Sequence, residues 1–181
     1  VVELDPVTFK EISEPQILFW GDYKNHGFEN RRDDDVIFSI FNGRRPYYEE
    51  EFPWIEGPWV TKHNGKYYLT YSVGRYSDNS YQVGQAISDN ILGPYRKLTE
   101  AEGGLLISGG IAGSQEVSGT GHHSFVTVGD KLYMIYHRHN DVIVAGGARN
   151  AAVDEVKWIT IKDKDGNDLD VLYTNGPTCT V

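Results

Sequence analysis

Cysteine is nearly absent from this chain. Cys179 is the only one in 181 residues, so no internal disulfide can staple the fold. That scarcity suits the cytosol and also many secreted enzymes, which leaves the compartment open. Long hydrophobic runs are missing as well: nothing approaches about 18 consecutive apolar residues, so no helical membrane span is expected. Basic residues are few, with 17 Lys and Arg against 26 Asp and Glu, a net charge of −9 and a pI of about 5.1. Phosphate backbones need basic patches, so nucleic acid is excluded as a partner. Neutral or cationic ligands are easier to accommodate. Helical periodicity is lacking too, since no segment of about 12 residues keeps a 3.6-residue apolar period.

What the chain does hold is tyrosine and glycine. There are 12 Tyr and 20 Gly, and aromatics make up 13%, a mixture that favours strands and turns. Its length suffices for the core of one domain. Two stretches repeat. Trp59-Val60-Thr61 matches Phe125-Val126-Thr127 at an offset of 66, and residues 66–71 match 131–136 at an offset of 65. This alignment places Glu56 and His122 at equivalent positions before an apolar strand, with connecting turns that differ by one residue.

Each repeat reads as a four-stranded antiparallel meander of about 65 residues. In the first, residues 59–62 and 66–72 form a hairpin about His63-Asn64-Gly65. Residues 81–88 and 95–98 follow as third and fourth strands. In the second, residues 124–128 and 131–138 form the hairpin, and residues 148–156 and 157–161 the remaining strands, closed by a tight turn at Asp163-Lys164-Asp165-Gly166. Residues 1–12 read as an edge strand and turn, and residues 16–20 as a short strand. Such meanders are the blades of a β-propeller, which needs roughly four to eight of them to close. The expected division is a blade end over 1–45, a blade over 46–103 and a blade over 104–181. The missing blades must come from elsewhere. The chain opens on Val1 and shows no signal peptide, and is expected to be a cleaved or truncated piece of a longer product; secretion is somewhat favoured over the cytoplasm.

In a propeller the innermost strands line a central channel, so Glu56 and His122 are expected to converge at one mouth. Trp54, Ile55 and Trp59 surround Glu56 with apolar surface. Desolvation raises a carboxyl pKa and makes a proton donor near neutrality. The competing reading is a turn glutamate paired with an arginine.

The order Glu56-Gly57-Pro58-Trp59, then Asn64-Gly65-Lys66-Tyr67-Tyr68-Leu69-Thr70-Tyr71-Ser72, then Gly93-Pro94-Tyr95, resembles glycoside hydrolase family 43. Gly119-Thr120-Gly121-His122-His123-Ser124 resembles that family's Gly-Pro-Gly-His-x-Ser segment, with Thr120 in place of Pro. Ala148-Arg149-Asn150 followed by Val156-Lys157-Trp158 resembles its closing arginine segment. The resemblance runs from about Glu3 to Thr178. It implies an all-β, five-bladed propeller of which this chain supplies roughly the last half to three-fifths. It also implies an inverting hydrolase of α-L-arabinofuranosyl or β-D-xylosyl linkages in plant cell-wall carbohydrate.

By that resemblance Glu56 is the general acid. His122 contacts the site or helps hold a central calcium or other cation, with no organic cofactor; a hydrogen-bonded structural role is the alternative. Arg149 contacts substrate hydroxyls or holds a carboxylate, with a surface ion pair as its alternative. His123 should point away and be structural. The base and the pKa-tuning Asp of the family have no counterpart here, since Asp5 sits in a blade-closing segment. A complementary N-terminal propeller segment, as a second chain or cleaved fragment, is therefore the expected partner besides carbohydrate. The 181 residues alone are expected to be inactive and poorly folded.

Tyr47, Tyr48, Phe52, Trp54, Trp59 and Tyr76 are candidate sugar-stacking platforms, Trp54 foremost, although aromatics also favour the core. The role of His26-Gly27-Phe28-Glu29 stays open, and His137, Arg138 and His139 are candidates for supporting the site from behind. Two other readings remain: a non-catalytic carbohydrate-binding propeller, and a structural propeller fragment.

Overall fold

A computed structural model describes residues 1–22, 25–29, 55–77, 80–109, 117–139 and 148–178. The described residues form strands and two short 3-10 turns, Gly27–Glu29 and Glu100–Glu102, with no α-helix. The first sheet contains β1 (Ile55–His63), β2 (Lys66–Val73), β3 (Gln82–Ser88) and β4 (Arg96–Lys97) in that order, with β5 (Leu105–Ile107) also pairing β3. The second contains β6 (Gly121–Val128), β7 (Lys131–His139), β8 (Arg149–Lys162) and β9 (Asp168–Thr174). Every pairing is antiparallel. The architecture is that of four-stranded propeller blades. The boundary expected at 103/104 falls between β4 and β5, and β5 bonds back to the first sheet.

The β1–β2 turn is Asn64-Gly65, both with positive φ (46° and 82°). That geometry matches the right-handed strand twist and needs residues that tolerate it. Two strand assignments differ from the sequence reading. Residues 148–161 do not divide into two strands. One 14-residue strand, β8, pairs with β7 through residues 149–156 and with β9 through 156–162. The fourth strand is β9, beyond the tight turn that Asp163 caps by accepting from Asp165 and Asn167. The amino-terminal residues make one bridge, Leu4 with Glu11, and residues 16–20 form no strand. They pack by side chain instead: Leu18 and Phe19 turn inward while Ile17 and Trp20 stay exposed.

Three apolar clusters hold the layers. Val83, Leu106 and Ile107 of the first sheet meet Met134, Tyr136, Val156 and Leu172 of the second. Tyr68, Ile87 and Leu98 meet Leu169 and Val171. The opposite face of the first sheet packs Leu69, Tyr71 and Val73 against Phe28. Beneath Phe28, the buried Glu29 carboxylate accepts from Tyr71 Oη (2.8 Å) and Lys97 Nζ (2.7 Å). Burying charge is costly unless it is paired and hydrogen-bonded, as here. The segment 26–29 is thus a packing anchor. The outer face of the second sheet is open, with Val126, Ile135, Val153 and Tyr173 at 39–52% exposure. At the far end of the strands, His63 stacks on Trp158 (3.8 Å, 5°) and contacts Asp170 at 3.2 Å, tying the sheets together there.

Candidate active site

Glu56 lies at the start of β1, opposite Ser72; the next aligned pair is Trp59 with Thr70, so Gly57 and Pro58 form a bulge. β6 repeats the step: Gly121 faces His137, Ser124 faces Ile135, and His122 and His123 form the bulge. The two ladders superpose at a constant spacing of 65, because each hairpin turn has two residues, Asn64-Gly65 and Gly129-Asp130. Glu56 is therefore equivalent to Gly121, and Gly57 to His122. This corrects the equivalence of Glu56 with His122, which followed from matching Trp59 to Phe125. The backbone carries the mark of the true register. Gly57 has φ 57°, and His122, a residue with a Cβ, has φ 51°.

The bulges still bring the two side chains together. A bulge breaks strand alternation and re-aims a side chain. His122 Nδ1 stands 3.8 Å from Glu56 Oε1, and the His122 amide donates to Ser72 Oγ at 2.8 Å. His123 is enclosed where His122 is exposed. It is buried, its Nε2 is 2.6 Å from Thr70 Oγ1, and burial, then the neighbouring His122, hold its pKa down at about 4.

Tyr81 is the residue the sequence reading missed. Its hydroxyl donates to Glu56 Oε1 at 2.5 Å and lies 3.3 Å from His122 Nδ1. Burial, followed by the hydrogen bond to Glu56, pushes the phenol pKa well up, so Tyr81 remains a donor across the working pH range. Its ring stacks on His137 (5.2 Å, 4°). A Cβ on Gly121 would stand 2.4 Å from that ring, so only glycine admits it. The available signal was a tyrosine just ahead of a wholly buried strand, since a buried phenol needs a partner.

Arg149 opens β8 at the same end. Its Nη1 faces His137 Nε2 at 3.4 Å, and its guanidinium lies 4.7 Å over the Tyr76 ring. Burial, then the Arg149 charge, lower the His137 pKa to about 4, so its ring is neutral at pH 7 and accepts from Arg149. His139 is buried and braces the turn: Nε2 contacts the Tyr76 carbonyl at 2.7 Å and Nδ1 the Ser118 hydroxyl at 3.1 Å. Arg138 donates locally to the His139 carbonyl. Of the residues expected in the site, Glu56, His122 and Arg149 thus gather at one end of the sheets. Trp54, with Tyr47, Tyr48 and Phe52, lies outside the described residues. Trp59 packs edge-on against Phe125 (6.3 Å, 69°) and is partly exposed. The Glu56 side chain is 41% exposed.

A cation at this mouth finds few ligands among the described residues. Among the described residues no group of three His, Cys, Asp or Glu converges. His122 Nδ1 already faces Glu56 and Tyr81, whereas Ca²⁺ takes about six to eight oxygens. These residues do not by themselves fit a calcium site.

The sequence signature "Glycosyl hydrolases family 43" matches residues 3–163. The chain is 37% identical over 86 residues to the β-D-galactofuranosidase xynD of Aspergillus niger, covering 47% of this chain and 23% of that protein. It is 31% identical over 102 residues to a β-xylosidase of Xylanibacter ruminicola, covering 56% and 27%. Among solved structures, a thermostable family-43 glycoside hydrolase matches with a TM-score of 0.59 and 29% identity, over 83% of this chain and 41% of the other. The chain therefore spans about a quarter of the length of these curated relatives and under half of that structure.

Proposed function

We propose that this chain, which belongs to glycosyl hydrolase family 43, carries the proton-donating half of an inverting glycosidase. The observation that carries the reading is the convergence of Glu56, Tyr81 and His122 at one end of two adjacent sheets. Glu56, protonated, passes its proton to the glycosidic oxygen as the bond to the anomeric carbon breaks. A base Asp outside this chain removes a proton from the water that attacks the opposite face. Inversion needs the two carboxyl groups about 6.5–9.5 Å apart, with room for that water. Arg149 donates to sugar hydroxyls, and Trp54 serves as a stacking platform.

The substrate class is α-L-arabinofuranosyl or β-D-xylosyl linkages. The β-xylosidase relative supports the second, and the galactofuranosidase relative adds β-D-galactofuranosides to the panel worth assaying. Complementary propeller blades complete the pocket. The exposed Val126, Ile135, Val153 and Tyr173 form the face that a further blade would cover. The test follows the first-formed anomer by proton NMR in the full-length protein. The expected result is the inverted anomer, produced at least a hundredfold more slowly from alkyl glycosides by Glu56→Gln. Retention of configuration would defeat the reading.

A further inference from the structure

We propose that Tyr81 is a positioning residue for Glu56, fixing the carboxyl in the orientation from which it protonates the leaving oxygen. The proposal rests on Glu56 being the acid. Among the described residues Glu56 has little else to hold it. Its strand is bulged immediately after it, its side chain is half-exposed, and His122 at 3.8 Å lies beyond hydrogen-bond reach. A glutamate side chain with this freedom spreads over several rotamers, and a misplacement of about 1 Å can cost roughly a hundredfold in rate.

Tyr81 is the opposite. It is fully buried, its ring is stacked on His137, and Gly121 lies against it. Thr120 Oγ1 reaches its backbone carbonyl at 3.4 Å. Its single hydroxyl proton is directed at Glu56 Oε1. That contact decides which carboxyl oxygen is free. Oε1 accepts from Tyr81, so the transferable proton resides on Oε2. When it moves to the leaving oxygen, the electron pair of the breaking glycosidic C–O bond goes to that oxygen. The charge left on the carboxylate spreads to Oε1, where the Tyr81 hydrogen bond then becomes charge-assisted and stronger. An interaction that strengthens along the reaction lowers the barrier rather than KM.

The experiment compares Tyr81→Phe with the unaltered full-length protein on glycosides with poor, alkyl leaving groups and with good, nitrophenyl leaving groups. Phenylalanine keeps the ring on His137 and removes only the hydroxyl. The expected result is a fall in kcat of roughly tenfold or more on alkyl glycosides, less than threefold on nitrophenyl glycosides, and KM within about twofold on both. Gly121→Ala, which displaces the ring and keeps the hydroxyl, should give the same leaving-group pattern. A Tyr81→Phe enzyme with unchanged kcat, or with equal loss on both substrate classes, overturns the proposal when Glu56→Gln in parallel shows leaving-group dependence. A Glu56→Gln enzyme without that dependence overturns the acid assignment itself, and the proposal with it.

Discussion

Gln85 on β3 clasps the backbone of Leu172 on β9 in both directions. Its Nε2 donates to the Leu172 carbonyl at 2.9 Å, and its Oε1 accepts from the Leu172 amide at 3.2 Å. The same Nε2 also reaches the Gly103 carbonyl at 2.7 Å. Among the described residues β9 is the outer strand of its sheet, so the Leu172 amide and carbonyl have no ladder partner on that side, and one buried side chain of the neighbouring sheet supplies it. Gln85→Ala should therefore destabilise the folded protein by about 2–3 kcal/mol, since buried amide and carbonyl groups lose their partner. Urea unfolding of the full-length protein measures this. The size of the loss should not depend on bound sugar.

The left-handed backbone at His122 makes a second prediction. A residue with a Cβ at φ 51° is strained, on the order of 1 kcal/mol. His122→Gly should hold or raise the melting temperature while lowering activity at least tenfold. Stability and function would then separate at one position. Gly57→Ala, at φ 57°, should do the reverse to stability and cost about 1 kcal/mol.

His123 gives a pH dependence with a definite sign. Its pKa is held at about 4, below the unfolded value of about 6.5, because burial disfavours the imidazolium. Between those values the unfolded chain binds a proton that the folded chain does not. Stability from this residue is therefore full above about pH 6.5 and falls as pH drops toward 4, by about 3 kcal/mol over that window. His123→Gln should flatten the curve of unfolding free energy against pH there, which chemical denaturation at several pH values would measure.

The hairpins and the repeat were legible in the residues, whereas the meeting of Glu56 and His122 was expected from an equal register that the ladders correct, and Arg149 was placed only by its resemblance to the family's arginine segment. Asn64-Gly65 announces its turn, and the aromatic-rich run of residues 66–72 its strand. The exact register was not legible. Two bulges keep the ladders in step, and a bulge leaves no mark in sequence when one copy uses Gly57 and the other His122. Similar side chains at Trp59 and Phe125 then favoured an alignment shifted by one. The continuity of β8 was not legible either: its charged middle, Asp154-Glu155, resembles a strand end, yet Asp154 is buried, where it accepts from Tyr136 and Thr178. Tyr81 offered only the weak signal of a tyrosine beside a buried strand, because its partner Glu56 lies on another strand and nothing local links the two.

The central claim is that Glu56 donates the proton to the leaving group. The most direct test is the ratio of kcat/KM between unaltered and Glu56→Gln full-length protein, measured on alkyl and on nitrophenyl glycosides of the same sugar. Glu56 as the acid predicts a loss of about a hundredfold or more on the alkyl glycoside and at least tenfold less loss on the nitrophenyl one. Equal losses on the two, or no loss on either, would contradict it.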